Sequence, residues 1–369
     1  MSLTTEHKIP RVVGIWLLIG VIMVFIQVVI GGITRLTDSG LSITEWNIIK
    51  GVLPPLTEGQ WQDAFQKYQD HTEQFEAIHA NMSLKEFKVI FFWEYFHRLW
   101  ARSMGFVFLI PFIIFWRKKW LPKALMRDLG LVVGLAALAA VFGWIMVSSG
   151  LNTKEYIWVD AYKLTIHLSI AITLLGFLFW AWLRTVQPLT FDDHNKRLRK
   201  FAWRITFVVA LQLVLGGLMS GMKAGLVAPH FPHMSVAQDG SWIWIAEVLR
   251  EKEQWTWANM FRYYDNAFAP SLIQLLHRGT AYLLCVLIPM FFFIALRLKA
   301  ARPLRIGNYL LLIMLLIQFT LGVFTVMNSG NPDWLPTLGV LHQAGGMLLL
   351  LSILFVNYQF SKGGYKKSS

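Results

Sequence analysis

The sequence predicts an all-α integral membrane protein with eight transmembrane helices, arranged as two pseudo-symmetric four-helix bundles. Three observations indicate this fold. Of the 369 residues, 56% are hydrophobic and 15% are charged, which is too apolar for a soluble globular protein. Eight apolar runs are each long enough to cross a bilayer. Short sequences at the ends of early runs recur at the ends of later ones, as in membrane proteins built from repeats.

Pro111 and Pro289 fall inside the second and sixth apolar runs, where a membrane helix tolerates a kink. The single cysteine, Cys285, also lies in the sixth run, so neither an intramolecular disulfide nor a cysteine-based metal site is expected. The expected spans are approximately 12–33, 89–116, 129–148, 159–183, 201–220, 268–296, 307–327 and 336–360.

The formal net charge of +13 comes largely from basic residues in the short loops, such as Arg117, Lys118 and Lys119 after the second span. The opposite loops carry most of the acidic residues. This distribution encodes membrane topology and does not indicate nucleic-acid binding. We therefore expect a multi-pass protein of a bacterial inner membrane, in contact with lipid, with both termini in the cytoplasm.

Two long outer segments, about 34–88 and 221–267, are rich in aromatic residues. Such segments either lie on the membrane surface or cap a cavity, and the sequence leaves both open. The aromatic residues include Trp46, Trp61, Phe65, Tyr68, Trp242, Trp244, Trp255 and Trp257.

An internal repeat divides the chain. QVVIGG (27–32) ends the first span and QLVLGG (212–217) ends the fifth, while SSG (148–150) and NSG (328–330) end the third and seventh. Because matched spans are four apart, the two halves have the same orientation in the membrane. We predict an N-terminal half, 1–200, and a C-terminal half, 201–369. The glycine pairs would allow close helix contact or leave room for a flat ligand.

Each even-numbered span contains one histidine near its outer end: His97, His167, His277 and His342. Within each half, two histidines at one depth could face each other across the bundle, as cofactor ligands do. Two imidazoles without carboxylate or thiolate ligands suit haem iron better than zinc or calcium. A single such histidine could equally serve packing or hydrogen bonding, but four in duplicated contexts favour ligation.

Three arginines lie near these histidines or the first glycine pair. Arg98 and Arg278 directly follow a histidine, and Arg35 follows the glycine pair. A buried arginine requires an anionic partner, which haem propionates would supply. An interhelical salt bridge, or snorkelling to the outer interface, explains them equally well.

Glu94 lies three residues before His97, and Gln274 lies three residues before His277. An acid beside one histidine and a neutral isostere beside the other suggest proton chemistry in the first half only. The alternative is that Glu94 merely forms a hydrogen bond with a neighbour.

These residues, together with GGITRLTDSGLS (31–42), resemble the haem A synthase family over nearly the whole chain. That family oxidises a methyl group of haem O to a formyl group by two hydroxylations, giving haem A for cytochrome oxidase. Its fold has eight transmembrane helices in two pseudo-symmetric halves. The resemblance implies that His277 and His342 ligate the iron of a haem b cofactor. It also implies that His97 and His167 bind the substrate haem iron, with Glu94 needed for turnover.

The resemblance also implies partners. Haem O is the substrate, a haem O synthase would supply it, and cytochrome oxidase assembly would consume the product; a homo-oligomer is left open. One branch of the family has a cysteine pair in an outer loop of the first half, which this chain lacks. The chain resembles the other branch of the family, which has a longer first outer loop.

Two other functions fit part of the pattern. A dihaem b-type membrane electron carrier explains four histidines but not Glu94 or the sequence after the first span. A haem or small-molecule transporter is compatible with the parallel repeat, but transporters often have broken helices at the membrane midplane. The histidines here are expected nearer the outer face.

Overall fold

The computed structural model describes residues 9–45, 53–151, 157–187, 195–237, 239–297, 301–361 and 363–365. Within these ranges the protein is almost entirely helical, and eight helices are long and apolar enough to cross a membrane. The predicted all-α membrane fold with eight spans is confirmed. In chain order, the α-helices of the described ranges are α1 (Arg11–Leu36), α2 (Glu58–His71), α3 (Leu84–Arg117), α4 (Lys123–Leu151), α5 (Ala161–Val186), α6 (Lys196–Gly221), α7 (Trp257–Phe261), α8 (Phe268–Leu296), α9 (Arg302–Met327) and α10 (Leu335–Gln359).

The two short helices, α2 and α7, lie in the two long connections, 37–83 and 222–267. Both connections lie at the same end of the bundle, which we call the long-loop end; the other is the short-loop end. The first connection packs on α3, since Trp61 and Phe65 contact Phe91 and Phe87. The second contains a small antiparallel hairpin of β1 (Ser235–Val236) and β2 (Trp242–Ile243). Of the aromatic residues predicted to lie in these connections, Trp46 falls outside the described residues.

Several helices begin before the predicted apolar runs. α3 begins at Leu84 rather than near 89 because Ser83 and Glu86 form a capping box. α6 begins at Lys196 rather than near 201, where the side chain of Asn195 accepts a hydrogen bond from the backbone of Leu198. Hydropathy detects only the apolar part of a helix, so it misses polar first turns.

The eight spans pack as two matched sets. α1 packs on α3 and α5, and α4 packs on α5; likewise α6 packs on α8 and α10, and α9 packs on α10. Contacts between the sets are also matched, with α1 against α10 and α5 against α6. The predicted pair of pseudo-symmetric bundles is confirmed. The predicted boundary after residue 200 falls within the first turns of α6, and a separate haem site in each half stays a prediction.

The pseudo-twofold axis passes between the ends of α1 and α6 at the long-loop end. Counting from the two glycine pairs, Arg35 matches Ser220 and Asp38 matches Lys223. Arg35 Nη2 donates to the carbonyl of Ser220 over 2.9 Å, and Lys223 Nζ lies 3.5 Å from Asp38 Oδ2. Residues at equivalent positions of a repeat contact each other only beside its symmetry axis. These contacts therefore join the two halves.

Small residues allow close approach at this junction. A Cβ placed on Gly221 of α6 would lie 2.7 Å from Cβ of Ala161 on α5. At the matched interface, a Cβ on Gly339 of α10 would lie 2.6 Å from the side chain of Leu36 on α1. Packing in lipid depends on such close approach, because the apolar environment offers no hydrophobic driving force between helices.

We expect Gly221→Ala to lower the free energy of unfolding by about 1–3 kcal/mol, because the added methyl group overpacks the α5–α6 interface. Gly130→Ala in α4 is the matched control, since a Cβ there meets no atom within 4 Å. Thermal unfolding of the purified protein in detergent measures both. Equal midpoints for the two variants would contradict the close packing.

Candidate functional site

A large internal cavity lies between the two sets of helices. Its volume is about 1310 Å³, and all eight spans contribute to its lining. The sequence analysis selected eight candidate residues, and every one of them lines this cavity. They are Arg35, Glu94, His97, Arg98, His167, His277, Arg278 and His342.

His277 on α8 and His342 on α10 face each other in the second half. Their ring centroids are 6.3 Å apart, and the ring planes are nearly perpendicular, at 76°. With metal–nitrogen bonds of about 2.0 Å, two imidazoles on opposite sides of one metal ion have centroids roughly 6 Å apart. The described residues contain no cluster of three or more His, Cys, Asp or Glu side chains that could hold a metal ion. The spacing of the pair therefore suits two imidazoles on one metal ion.

Each of the four histidines rests against a glycine of a neighbouring helix, which we call its glycine seat. A Cβ at any of these glycines would lie 2.9–3.5 Å from the imidazole Cε1 atom. Each ring thus lies on bare backbone. At Gly31, Gly143 and Gly322 an added methyl group would displace the ring, whereas at Gly216 the distance of 3.5 Å is an ordinary contact. The four pairs are His97 with Gly31, His167 with Gly143, His277 with Gly216, and His342 with Gly322.

Three of the four histidines have a glutamine partner, located four residues before the glycine seat on the same helix. One helical turn separates the two positions, so amide and seat share a face. The distances from amide Nε2 to an imidazole nitrogen are 3.3 Å for Gln27 and His97, 3.3 Å for Gln212 and His277, and 3.0 Å for Gln318 and His342. Thr280 in turn donates to Gln212 Oε1 and orients that amide.

His167 differs from the other three, because Ala139 stands where they have a glutamine. Nδ1 of His167 lies 2.9 Å from the carbonyl oxygen of Ala139. A carbonyl only accepts, so Nδ1 carries the hydrogen and Nε2 keeps its lone pair. A metal-ligating histidine is usually oriented by such a bond.

The glutamines and two of the glycine seats were missed at the sequence level. Gln27 and Gln212 were noticed only as part of the repeated sequence, and Gln318, Gly143 and Gly322 were not singled out. The available signal was a glutamine four residues before a glycine in three different spans.

Glu94 is buried, and both its carboxylate oxygens accept hydrogen bonds. Oε2 accepts from Ser42 Oγ at 2.7 Å and from the backbone N–H of Ile43 at 2.8 Å. Oε1 pairs with Arg98 Nη2 at 2.5 Å, and Arg98 also donates to the carbonyls of Ile43 and Glu45. The Glu94–Arg98 pair therefore attaches the segment after α1 to α3.

Gln274 and Arg278 perform the equivalent task in the second half. Gln274 Nε2 donates to the carbonyl of Ala228 at 2.8 Å. Arg278 donates to the same carbonyl at 2.8 Å, and to those of His230 and His233 at 2.7 and 3.0 Å. These two side chains therefore attach the segment after α6 to α8.

The difference between Glu94 and Gln274 follows from the hydrogen-bonding groups that each attached segment presents. The first segment presents donors, an N–H from Ile43 and a hydroxyl from Ser42, so an acceptor is needed at position 94. The second presents the carbonyl of Ala228, so a donor is needed at position 274. Of the two interpretations that the sequence left open, these contacts favour hydrogen bonding to neighbours. The predicted role of Glu94 in turnover stays a prediction.

Arg35 lies at the junction of the halves and faces the cavity. Besides Ser220, it pairs with Asp38 at 3.3 Å, while its buried Nε has no hydrogen-bond partner among the described residues. Lys223 lies nearby, 3.7 Å from the centroid of the Trp158 ring. Burial lowers the pKa of Lys223, and the Asp38 carboxylate opposes that shift. The unpaired N–H of Arg35, in a cluster with a net positive charge, could bind an anionic group.

Comparison with known proteins agrees with this arrangement. The family model described as "Cytochrome oxidase assembly protein" matches residues 14–354. The chain is 39% identical to the Heme A synthase of Flavobacterium psychrophilum, with 96% of this chain and 100% of that protein covered. It is 37% identical to the Heme A synthase of Nitrosospira multiformis, with 97% and 96% covered. The chain therefore belongs to the family of cytochrome oxidase assembly proteins.

Proposed function

We propose that this protein is a haem A synthase, an oxidoreductase that converts a methyl group of haem O into the formyl group of haem A by successive hydroxylations. The haem A would serve cytochrome oxidase, in keeping with the family. The observation that carries the proposal is the set of four histidines on glycine seats, in matched pairs around one cavity. A haem O synthase in the same membrane would supply the substrate.

The second half would hold haem b, with His277 and His342 as the residues that bind its iron. The 6.3 Å separation of the rings fits one iron between them. The glycine seats at Gly216 and Gly322 leave space for both imidazoles. Bound haem b supplies one-electron redox chemistry, while this chain sets its ligation, polarity and access.

The first half would bind the substrate haem between His97 and His167. Its histidines have unlike partners, the amide of Gln27 and the carbonyl of Ala139, whereas those of the second half both face glutamines. Different hydrogen-bonding partners for the two histidines suit a site that must bind and then release its haem. Arg35, Arg98 and Arg278 would lie toward the haem propionates, with the unpaired Nε of Arg35 the best placed donor.

Glu94 would act as a positioning residue for turnover. It fixes Arg98 and the Ser42–Ile43 segment across one end of the first-half cavity. A rigid boundary there would hold the substrate ring in one orientation and keep water away from the methyl group.

The protein would lie in a bacterial inner membrane with both termini in the cytoplasm. The basic residues at the short-loop end support this orientation, because cytoplasmic loops carry an excess of lysine and arginine. The long-loop end, with the four histidines near it, would then face outward.

Gly322→Ala should weaken haem b binding by about 1–3 kcal/mol, roughly 5-fold to 150-fold, because the methyl group would lie 2.9 Å from Cε1 of His342. Gly216→Ala is the matched control, since its methyl group meets His277 at an ordinary 3.5 Å. Haem content of the purified protein and haem transfer to apomyoglobin measure the difference. Equal haem retention in both variants would contradict the ligand assignment.

Glu94→Gln should reduce haem A formation by roughly tenfold or more, because it leaves Arg98 without its buried counter-ion and breaks the attachment of the loop. The measurement is chromatography of haems extracted from membranes that contain this protein and a haem O synthase. Haem O should accumulate in the variant, while the haem b of the second half stays at the wild-type level.

Ser42→Ala distinguishes a role of Glu94 in attaching the loop from a role in proton transfer, because it removes one hydrogen bond to Glu94 and keeps the carboxylate. A partial loss of haem A in Ser42→Ala supports attachment, whereas full activity there with loss in Glu94→Gln points to proton transfer. Wild-type haem A levels in Glu94→Gln would remove Glu94 from the mechanism. No haem A from the wild type, with two haem b per chain, would favour the dihaem electron carrier.

A further inference from the structure

The two halves differ in how their outer helices meet. In the second half α8 packs closely against α9, whereas the matching helices α3 and α4 contact each other much less. The ring of Tyr282 on α8 contacts that of Phe319 on α9, with centroids 6.4 Å apart. Phe231 from the loop also contacts Phe319, at 6.0 Å. Aromatic side chains therefore close the gap between α8 and α9.

At three matched positions the first half has smaller residues than the second half, although Arg102, which matches Tyr282, is large and also lines the cavity. Three residues before the glycine seats, α4 has Ala140 and α9 has Phe319; seven residues before, α4 has Ala136 and α9 has Leu315. On the other wall, the residue eight positions after the histidine is Gly105 in α3, where α8 has Cys285.

Gly105, Ala136 and Ala140 are both exposed and part of the cavity lining. By contrast, Leu315 is only 5% exposed. A Cβ added to Gly105 would meet no atom within 4 Å. Exposure alone does not mark an opening, since Tyr282 in the second half is 40% exposed and also lines the cavity. The small residues on both walls and the sparse contact between the two helices indicate that the first-half cavity opens sideways between α3 and α4.

The opening lies at hydrocarbon depth. At 1.5 Å per residue, its walls lie roughly 5–12 Å from the level of the histidines toward the short-loop end. Around it α3 and α4 present exposed apolar side chains, including Phe106 and Leu109 of α3 and Val133 of α4. The gap is therefore bordered mainly by apolar side chains, with Arg102 of α3 as a charged residue of the cavity lining at this depth.

We propose that the gap between α3 and α4 is a lateral portal, through which a haem with a long apolar isoprenoid tail enters the first-half site from the bilayer. The inference rests on the proposed function and deepens it. The Tyr282–Phe319 contact closes the equivalent gap in the second half and retains the haem there. In this duplicated scaffold, the wider gap of the first half lets its haem exchange, whereas the narrower gap of the second half retains the haem bound there.

The test is the exchange of haem O between vesicles and the full-length protein in lipid nanodiscs. Ala140→Phe introduces the side chain of the second half, and Ala136→Leu is a milder variant should the first one misfold. Leu138→Phe is the control, because Leu138 lies on the same helix but does not line the cavity. Retention of haem b by each variant verifies folding of the second half.

We expect Ala140→Phe to slow both association and dissociation of haem O by roughly tenfold or more, leaving the dissociation constant nearly unchanged, as an obstructed path does. Ala136→Leu should slow both rates by a smaller factor, and Leu138→Phe should match the wild type. Wild-type rates in both alanine variants would overturn the portal. A weakened affinity with faster dissociation would also overturn it, because the new side chain would then fill the site rather than the path.

This experiment distinguishes an error in the proposed portal from an error in the proposed function. Exchange of haem O is measured without turnover, so a wild type that binds haem O through the portal but makes no haem A overturns the function alone. A wild type that makes haem A, with all variants exchanging at the wild-type rate, overturns the portal alone. A wild type that does not bind haem O overturns both.

Discussion

The contact between an imidazole ring and bare glycine backbone is the feature on which the site depends. Four such contacts set the depth and direction of His97, His167, His277 and His342. In a membrane interior a polar side chain requires a partner from the protein, and here three glutamines and one backbone carbonyl provide it. Glycine and glutamine lie one turn apart, so a single helix face both receives the ring and orients it.

A duplicated scaffold allows two sites to diverge through few residues. Glu94 and Gln274 both attach a loop, and each matches the hydrogen-bonding groups that its own loop presents. Ala139 replaces a glutamine partner only at His167. Ala140 and Phe319 occupy matched positions on opposite sides of the molecule and differ in how far they fill the space between helices. Each change is local, and none disturbs the packing that the two halves share.

The two halves also contact each other close to both histidine pairs. Gln343 directly follows His342, and its amide donates to the carbonyl of Val28 on α1 at 2.7 Å. The same side chain lies against Gly32, the neighbour of the glycine seat of His97. The first- and second-half sites are therefore joined by a short path of packed and hydrogen-bonded atoms. At the long-loop end, the contacts of Arg35 with Ser220 and of Asp38 with Lys223 hold the same interface.

The sequence by itself determined the eight spans, the two matched halves and eight polar residues that line the cavity, because hydropathy, internal repetition and rare polar groups in apolar runs are local signals. Helix starts were displaced where polar capping residues precede the apolar run, as at Ser83. Tertiary structure alone decided which glycines receive the histidines, and why position 94 is an acid and position 274 an amide. It also decided that α3 and α4 contact each other far less than α8 and α9 do. These features depend on atoms from segments far apart in the chain, whose hydrogen-bonding groups and volumes become matched only after the helices pack.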